Sequence, residues 1–348
     1  MNVAKKVAVV ILSWNGRKYL EQFLPSVVRY TDPHLCDIVV ADNCSDDDSV
    51  AFVRKNYPQV RVLVNSRNGG YAGGYNEALR QTEATYYVLL NQDMEVTEDW
   101  VERVVEKMEK DERIAAAQPK ILSYHERDKF EYAGAAGGYL DMWGYAFCRG
   151  RIFQVIEKDM GQYDDAVNIF WASGACMFVR AKAFWEAGGF DEDFFAHQEE
   201  VDLCWRLQHK GYRIIAVPEA VVYHVGGGSL SYQNPHKTYL NFRNSMMMLL
   251  KNLPAAQLWK IPVRFVFDFA ALIHATLKER NLKTACAIHR AHLHFCLAVP
   301  ELWIKRKQIT QRNNGLLYPG SIVWQHFVLG KKYFYELPDN TSAQNTAQ

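Results

Sequence analysis

Over the first 120 residues, apolar runs alternate with amphipathic stretches. Val7–Trp14, Asp37–Asp42, Val60–Asn65 and Thr85–Asn91 are rich in Val, Ile, Leu or Tyr and predict strands. Gly16–Arg29, Ser45–Asn56, Tyr71–Thr82 and Thr97–Lys110 predict helices, the last opened by a Thr cap. This is the pattern of βαβ units around a parallel sheet, and its four strand-to-helix switches set four loops on one edge. Open α/β sheets bind ligands at that carboxyl rim. After the run Ile114–Leu122, five glycines (134, 137, 138, 144 and 150) lie among aromatics as far as about Gly161, which predicts a strand-and-loop insertion near the rim. Regularity returns at Phe170–Arg180, followed by a short helix Ala181–Ala187 and a Gly188-Gly189 stop. A helix is then expected from about His197 to Lys210, ended by Gly211, with short strands at Tyr212–Val217 and Ala220–His224. Beyond Lys237 the chain reads as helical, basic and aromatic, and its last dozen residues as disordered.

Length and charge refine this picture. A chain of 348 residues that is 49% hydrophobic has material for a catalytic core and a smaller second unit. The expected division is residues 1–235 as an α/β domain, 236–335 as a helical extension and 336–348 as a tail. Net charge is +1 but unevenly spread: Asn241 to Tyr335 carries 14 Lys/Arg against 3 Asp/Glu, or +11, leaving −10 elsewhere. An acidic part suits a metal site and a basic part an anionic surface. The seven cysteines form no CxxC pair, so free thiols in a reducing compartment are expected. The opening apolar run Val7–Leu12 is too short for a secretory signal. The longest apolar stretch, Ile261 to Leu277, is interrupted by Arg264, Asp268 and His274. A cytoplasmic protein is the expectation.

Five segments carry candidate chemistry. Asp42, where the second strand ends, could accept the N3–H of uracil or thymine, a proton that cytosine lacks; Asp, Asn and Ser at this point could equally cap the next helix. Asp93, in Asn91-Gln92-Asp93 at the end of a strand buried on both faces, is placed to bind Mg²⁺ or Mn²⁺. His224, closing Val221-Val222-Tyr223, is either a second ligand or a structural histidine. The glycine-dense loop Asn68–Asn76 opens a helix as a phosphate site would, without the GxGxxG spacing of a dinucleotide fold. In Gln198-Glu199-Glu200-Val201-Asp202, residues 200, 203, 204 and 207 share a helical stripe whose last three members are Leu, Cys and Leu. A carboxylate heading an apolar stripe is partly buried and becomes a better general base. Glu199 reads as a first-turn acid favoured by the helix dipole, and Glu199, Asp202 and Arg206 as a solvated or metal-side charge network.

Taken in order, these motifs resemble the inverting family 2 glycosyltransferases of GT-A fold, especially their rhamnosyltransferase-like bacterial branch. The resemblance runs from about Val7 to Leu230. It rests on Ser13-Trp14-Asn15-Gly16, Val40-Ala41-Asp42-Asn43-Cys44-Ser45, the glycine loop, Leu89-Leu90-Asn91-Gln92-Asp93, Gly174-Ala175-Cys176-Met177, Gly189-Phe190-Asp191-Glu192-Asp193-Phe194-Phe195, the Glu-Glu pair and His224-Val225-Gly226-Gly227. It implies a Rossmann-like, mostly parallel α/β sheet flanked by helices. It assigns the donor nucleotide to Ser13, Trp14, Asn15, Asp42, Asn43, Gly70, Asn76, Asn91 and Gln92, and the metal to Asp93 and His224. The acceptor side falls to Gly174, Glu199 and Asp202, and the catalytic base to Glu200. Two departures stand out: the usual Asp-x-Asp is Asn91-Gln92-Asp93, and the base is Glu where many relatives have Asp.

The implied reaction moves a sugar from a UDP- or dTDP-sugar, dTDP-rhamnose among them, to a glycan or polyprenyl-linked acceptor in cell-surface polysaccharide synthesis. A sugar-phosphate nucleotidyltransferase would carry a basic, glycine-rich triphosphate loop near its start, where this chain has Ser-Trp-Asn-Gly. A non-catalytic carbohydrate-binding protein would not need Asp93, Glu200 and His224 together. The basic, Trp-bearing extension suggests peripheral attachment to an anionic membrane at the inner face of the plasma membrane, or else packing on the core or a homodimer contact. No nucleic-acid recognition motif is present.

Overall fold

The alternating pattern folds as a mixed α/β molecule. The computed structural model describes residues 5–226, 234–277, 280–312 and 317–338. Strands β1 (Val7–Ser13), β2 (Cys36–Asp42), β3 (Arg61–Val64) and β4 (Tyr86–Asn91) are separated by helices α1 (Arg17–Tyr30), α2 (Ser49–Asn56) and α3 (Gly70–Arg80). Next come β5 (Met94–Val96), α4 (Trp100–Glu109) and β6 (Ile114–Ser123). The glycine-rich region forms a small antiparallel sheet of β7 (Gly138–Leu140), β8 (Ala146–Cys148), β9 (Arg151–Ile152) and β10 (Val155–Ile156). The α/β part continues with β11 (Val167–Asn168), β12 (Cys176–Arg180), α5 (Ala181–Glu186), α6 (Glu199–His209) and β13 (Arg213–His224). The remaining helices are α7 (Pro235–Asn252), α8 (Lys260–Leu277), α9 (Leu282–Gln308) and α10 (Ile322–Phe327).

The main sheet runs β11-β13-β6-β12-β4-β1-β2-β3, with β5 paired to β13. Its β1, β2, β3 and β4 are parallel. Strand β12 is inserted antiparallel between β4 and β6. The continuous apolar runs β1 and β4 are central and buried on both faces, as such runs require. Ser13, Asp42 and Asn91 therefore end neighbouring strands at one edge.

Two expectations change. The two strands expected within 212–224 are one, β13 from Arg213 to His224, which runs through a register shift between Val217 and Val221, where Pro218 has no N–H for the ladder. Helix α6 begins at Glu199 rather than His197, because His197 and Gln198 have φ of +69° and +72°, which no α-helix accommodates. The expected disordered end lies, from residue 339 on, outside the described residues, as does Gly227 of the His-Val-Gly-Gly motif.

Helix α7 packs into the same core as the sheet, with Met246, Met247, Met248, Leu249 and Leu250 buried beside Phe194, Leu203 and Trp205. Part of the extension's positive charge is spent internally. Lys251 lies 2.6 Å from Asp191 and 3.0 Å from Asp202, and Lys305 2.6 Å from Asp191. All seven cysteines are free. Among the described residues no helix is long and apolar enough to cross a membrane.

Candidate active site

The carboxyl edge of the sheet carries two clusters. The first forms where β1 and β2 end. Ser13 Oγ donates to Gln92 Oε1 at 2.8 Å, and the Trp14 N–H reaches the same oxygen at 3.3 Å. Gln92 packs against Gly16, where a Cβ would displace the Gln92 and Ser13 side chains and break the hydrogen bond between them. The Asn15 N–H donates to Ser45 Oγ, and Asn15 Oδ1 accepts from the Asp46 N–H, joining the two strand-end loops. Asp42 is buried. Its Oδ2 accepts from the Ser45 N–H at 3.0 Å, while Oδ1 is buried without a hydrogen-bond partner. Asp42 thus makes the local turn and still has an acceptor to offer a ligand. Trp14, which follows Ser13 at the same strand edge, is 45% exposed and leaves its indole open for stacking.

The second cluster forms between the ends of β4 and β13. His224 Nε2 lies 3.2 Å from Asp93 Oδ1 and 3.4 Å from Asn91 Nδ2. On the other side of the ring, His224 Nδ1 is 3.3 Å from Glu131 Oε2. All four residues follow from strand register: His224 pairs with Met94 and Ser123, next to Asp93 and at the foot of the segment carrying Glu131. Burial alone would push the imidazole down, but the two carboxylates outweigh it and push it up to about 10. In return the His224 charge overcomes burial and holds Asp93 and Glu131 below the usual carboxylate range.

A divalent cation would take the place of the proton on His224 Nε2, since only the neutral imidazole ligates, and Asp93 Oδ1 beside it would be the second donor. Adjacent donors on an octahedral ion with bonds of about 2.1 Å stand about 3 Å apart, close to the separation of Asp93 Oδ1 and His224 Nε2. Glu131 is the outer carboxylate that fixes the ring. Among the described residues no group of three or more His, Cys, Asp or Glu could enclose an ion, so the remaining positions would fall to water and diphosphate oxygens.

Glu199 and Glu200 open α6. Glu200 is half-buried and its Oε2 has no hydrogen-bond partner; Glu199 is buried and its Oε2 is likewise unpartnered. Burial pushes both carboxyls up, Glu200 to about 7 against the pull of backbone N–H groups at the helix start, and Glu199 further because Glu200 adds a like charge. The Tyr71 hydroxyl donates to the Gly174 carbonyl at 2.6 Å, tying the Gly174 loop to α3 beside this pair. Buried Cys148 lies within electrostatic reach of both Glu131 and Glu200.

Other candidate residues serve the chain itself in the structure. Asn43 bonds to Asn68 and the Gly70 carbonyl, and Asn76 to Phe190 and Glu192. Gly70, with φ of +66°, makes its close approach to the Phe195 carbonyl, 2.4 Å from where its Cβ would be. The Asp202–Arg206 pair is buried rather than solvated. Asp202 also accepts from Lys251 and Asn252, and Glu199 is outside that network. Glu131, Tyr71 and Lys251 had no signal in the sequence, since each acts through partners 49 to 103 residues away.

Comparison with known proteins gives one family. The model of glycosyl transferase family 2 matches residues 8–188. An N-acetylglucosaminyl-diphospho-decaprenol L-rhamnosyltransferase from Mycobacterium tuberculosis is 25% identical over 291 residues, 78% of this chain and 92% of the relative. Rhamnosyltransferase WbbL of Escherichia coli is 25% identical over 221 residues, 61% and 80% of the two chains. Among solved structures, GalNAc-T7 with UDP, GalNAc and Mn²⁺ is similar at a TM-score of 0.59 and 15% identity, covering 86% of this chain and 58% of that one. TarS 1–349 of S. aureus with UDP-GlcNAc is similar at 0.54 and 17%, covering 86% and 83%. At these identities the two structures speak for the fold.

Proposed function

From the premise that the chain belongs to glycosyl transferase family 2 and is a glycosyltransferase of GT-A fold, we propose that it transfers a deoxyhexose from a UDP- or dTDP-sugar, such as dTDP-rhamnose, to a polyprenyl-diphosphate-linked glycan. Support for this donor and acceptor comes from the rhamnosyltransferase relatives. The observation that carries the reading is the Asp93–His224 couple where β4 and β13 end, present together with the unpartnered carboxylate of Glu200 in the first turn of α6.

Asp42 Oδ1 accepts the base N3–H, the Trp14 indole stacks on the base, and the Ser13–Asn15 turn seats the ribose. Asp93 and His224 would hold Mg²⁺ or Mn²⁺, whose chemistry there is to neutralise charge on the departing diphosphate. Glu200 takes the proton of the acceptor hydroxyl as that oxygen attacks the anomeric carbon opposite the diphosphate, which inverts the centre without a covalent intermediate. The Gly174 loop, held by Tyr71, lines the acceptor side.

A lipid-linked acceptor lies at a membrane surface. Helix α8 offers an outward stripe of Val266, Phe269, Ile273 and Leu277, with Trp259 at its start, each at least 42% exposed. This stripe would rest in the anionic inner leaflet of the plasma membrane, placing the protein there as a peripheral cytoplasmic enzyme. The test is to incubate full-length protein and Mn²⁺ with dTDP-rhamnose or UDP-N-acetylglucosamine and a short-chain polyprenyl-diphosphate N-acetylglucosamine. Glycosylated lipid is expected from the first donor; no product from dTDP-rhamnose, whether or not the second donor reacts, rejects the proposed substrate pair.

A further inference from the structure

We infer that Asn244, on α7, is a positioning residue for Glu200, an inference that rests on reading Glu200 as the base. Three non-glycine residues immediately before α6 have positive φ: Phe195 at +63°, His197 at +69° and Gln198 at +72°. Side chains with a Cβ avoid this region, and a cluster of such residues persists only where neighbours over-determine the backbone.

Asn244 supplies that hold. It is fully buried, and its Nδ2 lies 2.9 Å from the Phe194 carbonyl, 2.9 Å from that of Ala196 and 2.7 Å from that of His197. The amide is oriented by Arg243, whose Nε donates to Asn244 Oδ1 at 2.9 Å while Nη2 donates to the Asp193 and Phe194 carbonyls. From the opposite side the Ala72 N–H donates to the Phe195 carbonyl at 3.1 Å. The turn is thus gripped between α7 and the start of α3.

Its last residue sets α6. The Gln198 carbonyl accepts the Asp202 N–H at 2.9 Å, so the twist at Gln198 fixes the first turn, which carries Glu199 and Glu200. Asn252, two turns further along α7, donates to Asp202 Oδ1 at 2.8 Å. One helix therefore holds both the approach to the base and the turn that displays it. Released from Asn244, the turn would relax toward ordinary φ and rotate Glu200 away from the acceptor hydroxyl, with the nucleotide pocket untouched.

The experiment compares Asn244→Ala, Gln198→Gly and the double variant, each with Glu200 and with Glu200→Gln, by transfer kinetics and by hydrogen exchange of the segment 194–203. Asn244→Ala is expected to lower kcat about 10- to 100-fold, the usual cost of a small misplacement. Donor KM should stay within about threefold, and the segment's amides should exchange faster. Gln198→Gly alone should stay near wild type and recover most of the loss in the double variant, because glycine adopts this φ without strain. With Glu200→Gln present, Asn244→Ala should cost less than about twofold. Arg243→Met, which frees the amide's orientation, should shift kcat and exchange in the same direction if Asn244→Ala does not fold. Unchanged exchange and kcat, or an equal loss in both backgrounds, would overturn the inference. Full turnover by Glu200→Gln would instead remove the base reading, which makes the two failures distinguishable.

Discussion

His224 Nε2 stands 3.2 Å from Asp93 Oδ1 while Glu131 holds the opposite ring nitrogen. If this couple binds the cation, Mn²⁺ binding in the presence of UDP, followed by the loss of free-ion paramagnetic signal, should weaken more than tenfold in Asp93→Ala and His224→Ala. Glu131→Gln, which removes only the outer partner, should weaken it about 10- to 100-fold. Wild-type Mn²⁺ affinity in all three variants would remove these residues from the site.

Asp42 has one oxygen on the Ser45 N–H and one without a partner. Calorimetry should therefore show binding of UDP and dTDP and at least tenfold weaker binding of CDP, and Asp42→Asn should weaken the first two about tenfold. Equal affinity for all three nucleotides contradicts the assignment.

The exposed stripe on α8 makes a separate expectation. Full-length protein should sediment with phosphatidylglycerol vesicles at low salt and be partly released at high salt. Phe269→Asp with Leu277→Asp should prevent sedimentation without changing UDP binding. Indifference to these vesicles at every ionic strength would leave the stripe without this role.

Much of this arrangement was legible along the chain and part was not. Strand ends were readable because Ser13, Asp42 and Asn91 close apolar runs, and parallel pairing then aligned them. Leu203, Cys204 and Leu207 are buried as their spacing predicts, while Glu200 at the head of that stripe is only half-buried, because α6 is covered on nearly every side. Glu199 reads from helical phase as a solvated first-turn acid, but in the fold it is 3% exposed. The basic excess after Asn241 reads as a surface property, yet Lys251 is 3% exposed and neutralises Asp191 and Asp202, a pairing only the tertiary fold reveals.

Burial of Glu200 also costs stability. Its folded carboxyl is raised to about 7 from 4.5, so the folded state binds more protons between those values and stability falls as pH rises through that window. Glu200→Gln should therefore raise Tm at pH 8, by an amount equivalent to roughly 1–2 kcal/mol after allowance for partial exposure, and leave it unchanged at pH 4. Equal Tm values at both pH extremes would mean that the carboxylate is not strained in the fold.

The most direct measurement is the transfer rate of Glu200→Gln against wild type, followed from pH 5.5 to 8.5 with nucleotide binding measured in parallel. A base must be deprotonated to act, so the wild-type rate should climb with pH to a plateau above about 7. Glu200→Gln should bind UDP or dTDP normally and transfer about 10²- to 10⁴-fold more slowly, without that climb. Turnover near wild type in this variant would contradict the account.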